Sequence, residues 1–368
     1  MKLIKKILAY ATMLVLIALG VFAVVLSYTS DCEPGVKPAE GTETMKAIVA
    51  RCYGGPEVLS YEDIAKPVPA DNEVLVRVHA AALNPLDYHY MRGVPYIIRM
   101  FAGIGKPGDI KVGVDYAGTV ESVGKDVTRF KPGDEVFGGR SGALGEYLVV
   151  PEDRGITLKP ANISFEEAAS VAIAGVTALQ AVRDKGQVNE GDSVLVNGAS
   201  GGVGTFAVQI AKAYGASVDG VCSGRNVDMV MGIGADHVFN YKEENFTESD
   251  RQYDLMVDMI GNHPFADINR VLKPEGRMVM VGGPKGPWIK PFVRPTLARI
   301  VSLFIDQTYI GLLAEIRQDA LADLAKLIES GKLRPVIDRR YSLAEAADAM
   351  AYQESGRARG KVIIRILD

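Results

Sequence analysis

The stretch Ser193-Val194-Leu195-Val196-Asn197-Gly198-Ala199-Ser200-Gly201-Gly202-Val203-Gly204 constrains this chain more than any other. An apolar run, SVLVN, passes directly into a glycine-rich turn, and the turn opens a helical pattern, FAVQIAKAYGA. Strand, turn and helix in that order are what a dinucleotide-binding crossover requires. Gly201 and its neighbours let the backbone curl without a Cβ clash. The first amides of the helix have no intrahelical acceptor, so they and the helix dipole attract an anion such as a pyrophosphate. Gly204 permits close packing of helix on strand. The turn lacks a lysine, so it is not a triphosphate-binding P-loop. The cofactor-binding candidates here are Ala199, Ser200, Gly201, Gly202, Val203 and Gly204.

The surrounding pattern supports a doubly wound parallel sheet. Phe165 to Lys185 is expected to be a helix, with Ser164 as N-cap and Glu167 completing a capping box. Strands are expected at 193–197, 217–222, 237–240, 255–258 and 277–281, with helices at 202–214, 226–231 and 265–272 between them. The second strand runs into Val221-Cys222-Ser223-Gly224-Arg225. A site for NADH usually places an acid there to hold the ribose hydroxyls. Ser223 and Arg225 occur instead, and arginine pairs well with a 2′-phosphate, so NADPH is favoured over NADH. The plain alternative for Arg225 is a solvated surface residue. Asp219 lies earlier in its strand and is expected to point elsewhere. Tyr241, Gly282 and Gly283 follow later strands and are further candidates, as adenosine and nicotinamide neighbours or as packing residues.

Before this region the period is two. Strands are expected at 47–51, 73–80, 118–123, 133–137 and 144–150, with glycine, aspartate and proline between them. They imply a compact β-rich domain, a distorted barrel. After Pro284 the sheet pattern stops. Residues 294–305 read as an apolar helix, expected to pack in the core rather than on a membrane or a partner subunit. Helices are expected at 315–330 and from Ser342 to Tyr352, and a final strand at 360–366.

The N-terminus is a separate unit. Lys2, Lys5 and Lys6 precede an uncharged run from Ile7 to Tyr28, long enough to cross a hydrocarbon core of about 30 Å at ~1.5 Å per residue. An uncleaved anchor through residues 7–28 is favoured over a cleaved signal peptide, since the run is long and no Ala-x-Ala site follows it. The lysines favour a cytoplasmic N-terminus, which puts the body on the far side, away from the cytosolic cofactor pool. The side therefore stays open at this point. Residues 31–45 form a polar linker. The three cysteines, Cys32, Cys52 and Cys222, are far apart and read as free thiols. A net charge of −4 argues against nucleic acid as a partner.

AALNPLDYHYMRG (81–93), GVDYAGTVESVG (113–124), GDEVFG (133–138), GALGEYLVV (142–150), AGVTALQAV (174–182), NGASGGVG (197–204) and GADHVFNY (234–241) occur in that order. In this the chain resembles the medium-chain dehydrogenase/reductase superfamily, most of all its zinc-independent quinone-oxidoreductase branch. The resemblance implies a GroES-like catalytic domain at 46–165, a Rossmann domain at 166–300 and a segment at 301–368 that returns to the catalytic domain, after an anchor at 1–30 and a linker at 31–45. It implies that substrate and nicotinamide meet between the domains, that Thr177 lies near the nicotinamide ribose or ring, and that the chain forms a homodimer. The alcohol-dehydrogenase branch places a Cys and a His-Glu pair where this chain reads AALNPLDY and Gly113-Val114-Asp115-Tyr116, and the four-Cys lobe is missing, so no metal site is expected. The four histidines form no short cluster.

Hydride transfer without a Lewis acid needs donors for the charge that develops on the acceptor oxygen. The catalytic candidates are Asn84 as an amide donor, Asp87 as an orienting or turn-capping group, and Tyr88 and Tyr96 as polarising hydroxyls. The function expected is NADPH-dependent reduction of a quinone or an activated enone. The alternatives are a zinc-independent alcohol or aldehyde reductase, and a non-catalytic, membrane-tethered NADPH sensor or assembly factor.

Overall fold

In a computed structural model the described residues are all but 1, 285, 289 and 368; the side chains of 2, 3 and 292, and with them the lysine at position 2, also lie outside the described set. Six parallel strands make one sheet, in the order His237–Asn240, Ser217–Cys222, Ser193–Asn197, Tyr253–Asp258, Leu272–Met280, Thr308–Gly311. Both faces are covered, and the residues alternate accordingly. Val194 and Val196 join the core under the helices Ala172–Leu179, Gly202–Ala213 and Gln318–Glu329, whereas Leu195 joins the opposite core with Ile268, Val271 and Ala298. The strand order reverses between Ser193–Asn197 and Tyr253–Asp258, which opens a crevice at their C-terminal ends.

The second sheet is organised by the long strand Glu73–Leu83. Asp115–Val123 runs antiparallel along one edge. The other edge is shared: Glu73 to Arg77 pair with Tyr147–Pro151, and Ala80 to Leu83 pair with Lys361–Arg365. The C-terminal segment thus returns to the first domain, and Ile337–Ser342 lies parallel beside its last strand. Thr44–Ala50 and Leu59–Ala65 form a separate antiparallel pair.

Several expectations need correction. The parallel sheet extends past the boundary placed at 300, since Thr308–Gly311 is its sixth strand. The helix expected over 165–185 is interrupted at Ser170 and Val171, giving Phe165–Ala169 and then Ala172–Leu179, which widens into a π-helix at Gln180–Lys185. Ser170 Oγ donates to the Glu167 carbonyl at 2.6 Å, a local bond that competes with the helical ladder. The Ser164–Glu167 capping box is present. The apolar helix after Pro284, Lys290–Val301, packs on the core by one face only: Ala298 is buried and Val301 packs beside it, while Val293, Leu297 and Ile300 are exposed, as are Leu303 and Phe304 beyond it. Cys32 and Cys52 are not free thiols. They are disulfide-bonded, with Cα atoms 4.7 Å apart, because the strand Thr44–Ala50 carries Cys52 back to the linker. Cys222 is free and buried.

The N-terminal helix spans Lys2–Ser27. Its 24 residues from Ile4 contain an 18-residue window with a mean hydropathy of 2.6, long and apolar enough to cross a membrane, a property that anchors and signal sequences share.

Candidate functional site

The crevice of the parallel sheet faces the β-rich domain across a cleft of about 1010 Å³. Its floor is the glycine turn. Gly198 has φ +94°, and its amide and that of Ala199 donate to the Val221 carbonyl at 3.1 and 3.0 Å, tying the turn to the neighbouring strand. A Cβ on Gly204 would lie 2.2 Å from the Gly198 carbonyl oxygen, so no side chain fits there. The nearest atom to a Cβ on Gly201 would be 3.6 Å away, which leaves space above the helix start. Ser200, Gly201, Gly202, Val203 and Gly204 line the cleft, whereas Ala199 is fully buried behind them.

One end of the cleft is polar and open. Ser223, Arg225, Tyr241, Lys242 and Arg357 line it, with Glu243 as an acidic neighbour. Arg225 Nη2 donates to the Arg357 carbonyl at 2.7 Å. Asn226 donates to Ser200 Oγ at 2.9 Å, while its Oδ1 is buried without a partner. Gln353 Oε1, also at the cleft wall, is likewise unpartnered. Asp219 does turn away, accepting from Tyr253 and Arg251 at 2.7 and 2.9 Å. Orphaned acceptors and open backbone amides around one elongated space fit the hydroxyls and phosphates of a dinucleotide.

The other end is built from buried side chains. Lys361 is 2% exposed and donates to Asn84 Oδ1 at 2.6 Å and to Asp115 Oδ2 at 3.0 Å. Asp115 also accepts from the Ile173 amide at 2.9 Å. Asp87 accepts from the Asn84 amide at 2.6 Å, capping the helix Pro85–Arg92. Burial pushes the Asp87 carboxyl up to about 7, opposed by its bond to the Asn84 backbone. Gly360 donates to the Ser200 carbonyl at 2.9 Å, so Lys361 stands directly beside the glycine turn. Leu83, Pro85, Tyr88, Met259 and Ile260 form the apolar walls, with Asn262 and His263 at the rim.

Asn84 lines the cleft, but not as the donor expected. Its Oδ1 holds Lys361, and its amide nitrogen is turned to the Ala82 carbonyl at 3.5 Å. Tyr88 lines the cleft, and Tyr96 does not: its ring meets Trp288 edge-on at 4.7 Å. Thr177 bonds the Ile173 carbonyl one turn back, and Ile173 and Ala174 line the wall instead. Gly282 lies behind that wall, where a Cβ would be 2.2 Å from the Met259 carbonyl oxygen, and neither it nor Gly283 borders the cleft. Lys361 and Asp115 carried no local signal. Only the positions of Asp115 in GVDYAG and of Lys361 at the start of the last strand could have pointed to them.

Residues 70–161 match the alcohol dehydrogenase GroES-like domain, and residues 233–364 match a family described as zinc-binding dehydrogenase. Among the described residues no three His, Cys, Asp or Glu side chains gather as a metal-binding set. The chain is 35% identical to the quinone oxidoreductase of Sus scrofa over 339 residues, 89% of this chain and 99% of that protein. It is 34% identical to the 2-methylene-furan-3-one reductase of Solanum lycopersicum over 335 residues, 87% of this chain and 79% of that protein. The solved structure of the quinone oxidoreductase from Coxiella burnetii superposes with a TM-score of 0.77 at 32% identity, covering 88% of this chain and all of that one.

Proposed function

The chain belongs to the medium-chain dehydrogenase/reductase superfamily, in its zinc-independent quinone-oxidoreductase-like branch, and from that we propose that it reduces a quinone or activated enone with NADPH. The observation that carries this reading is the glycine turn, open above Gly201 and closed below Gly204, at the floor of a cleft with cations at one end and apolar walls at the other. Bound there, the reduced nicotinamide supplies a hydride.

The chain's own groups divide the remaining work. The first amides of the helix Gly202–Ala213 would hold the pyrophosphate, and the ammonium of Lys361 beside the turn would add positive charge there. Asn84 and Asp115 fix that ammonium in place, and Asp87 fixes the start of the helix that carries Tyr88. Leu83, Pro85, Tyr88 and Ile260 exclude water and give a flat conjugated carbonyl compound an apolar seat. Arg225 and Arg357 favour the 2′-phosphate, the basis for NADPH over NADH. Edge strand Thr308–Gly311, with exposed Leu303, Phe304 and Leu313 around it, supports a homodimer. The helix Lys2–Ser27 serves as an uncleaved membrane anchor.

The test is NADPH oxidation against a panel of quinones, enones and aldehydes, with NADPH and NADH titrated separately. Quinone- or enone-dependent turnover and tighter NADPH binding are expected. Binding without turnover across the panel removes the catalytic reading, and equal affinity for both cofactors removes the role of Arg225. Asn84→Ala takes away one of the two acceptors of Lys361, and kcat/KM should fall about tenfold; an unchanged value takes Asn84 out of the mechanism.

A further inference from the structure

The exit of the N-terminal helix is a built joint. Leu26 is buried, unlike most of its helix. The last carbonyls of any helix lack intrahelical partners. Here Arg99, itself 3% exposed, donates through Nη1 to the Leu26 carbonyl at 3.1 Å, the Tyr28 carbonyl at 2.7 Å and the Thr29 hydroxyl at 3.2 Å. Its guanidinium lies over the rings of Tyr53 and Tyr96, with centroids at 4.4 and 4.6 Å. Ser30 donates to the Gly105 carbonyl at 2.9 Å, Lys106 pairs with Glu33, and the Cys32–Cys52 disulfide closes the linker onto the body.

Around this joint the chain exposes apolar side chains in one short segment. Met100 and Phe101 are 51% and 87% exposed, and Ile97 and Ile104 are also exposed, while Arg99 between them points inward. Trp288 and Tyr28, aromatic residues of the kind that settle at a lipid–water boundary, flank the segment. Exposed to water these side chains are unfavourable; against acyl chains they are not. The segment is bonded to the last turn of a helix long enough to span a bilayer, so it lies at the lipid surface when that helix is inserted.

The same segment leads to the cleft. The helix Pro85–Arg92 begins with Pro85 and Tyr88 on the cleft wall. It ends where the Arg92 and Gly93 carbonyls accept from Arg99 at 3.4 and 2.9 Å. Eight residues at ~1.5 Å each put the wall about 12 Å from the joint.

We propose that residues 96–104 rest on the bilayer surface and that the acceptor is a long-chain quinone dissolved in the lipid, entering the cleft from the membrane. The inference rests on the quinone-reductase reading above and narrows its substrate class. The reaction balances as quinone + NADPH + H⁺ giving hydroquinone + NADP⁺: the acceptor gains the hydride and a proton from water, and the nicotinamide loses the hydride.

The test uses the full chain in phospholipid vesicles, with a long-chain isoprenoid quinone in the bilayer or a short-chain quinone in the water. Trp288, the single tryptophan, reports contact through quenching by shallow brominated lipids. The wild type should be quenched and should reduce the embedded quinone. In a Met100→Glu/Phe101→Glu variant, turnover of the embedded quinone should fall about tenfold or more, with quenching diminished and the water-soluble quinone reduced within about twofold of wild type. Normal reduction of both quinones by the variant, or an unquenched Trp288 in the wild type, overturns the membrane seating and leaves the quinone reading standing. No reduction of either quinone by the wild type overturns both.

Discussion

Lys361 and Arg225 are cations on the wall of one cleft, in opposite electrical settings. Lys361 is buried against Asp115, which is itself fully buried, and against Asn84. Arg225 is exposed and bonded to a backbone carbonyl. A charge pair removed from water is hardly screened, and losing one partner strands the other at high cost. An exposed charge is screened within a Debye length and contributes little to the fold. The inner end of the cleft is therefore fixed by folding itself, while the outer end can be retuned without disturbing the fold.

The contrast fails or sharpens on four measurements. Lys361→Met should cost about 3–5 kcal/mol in urea unfolding, because Asp115 is left buried and unpaired. Lys361→Met/Asp115→Leu should recover most of that loss; a single variant as stable as wild type breaks the contrast at once. Gly204→Ala forces a Cβ to 2.2 Å from the Gly198 carbonyl and should weaken cofactor binding at least about tenfold by calorimetry.

The third measurement concerns Asp87, whose carboxyl is raised from 3.8 to about 7 by burial. Below the unfolded value both states hold the proton. Between that value and 7 only the folded state keeps it, so stability falls as pH rises through this window and levels off above it. Asp87→Asn should flatten this slope in thermal melts taken from pH 4 to 8, and an undiminished slope assigns it to other groups. The smallest effect belongs to Arg225→Ala. It should raise the Kd for NADPH about fivefold at low salt and less at high salt, with NADH affinity and Tm unchanged. A drop in Tm would mean that Arg225, like Lys361, is part of the fold.

The features legible in the sequence were those carried by neighbouring residues. The turn at 198–204 has its strand, glycines and helix in one window, and the Ser164–Glu167 cap spans a single turn. The misread features depend on distance. Lys361 meets Asn84 across 277 positions and Asp115 across 246, and within KVIIR it looks like the polar start of an edge strand. Cys32 and Cys52 are brought together only by the fold of the linker onto the body. The helix break at Ser170 is local, but apolar periodicity continues through it and hides the competing hydroxyl. The helix after Pro284 has the composition of a core element, and its exposure emerges only from what packs around it.

The last strand sets a condition on how this protein is made. Lys361 lies in the strand Lys361–Arg365, far along the chain from the turn at residues 198–204, yet it and Gly360 complete the cleft floor beside that turn. A nascent chain can wind the parallel sheet and still have an unfinished pocket until residues 360 and 361 have left the ribosome. A chain released before residue 360 would keep most of its core and have no finished seat for the cofactor, so ligand-dependent stabilisation would separate it from chains that carry Gly360 and Lys361.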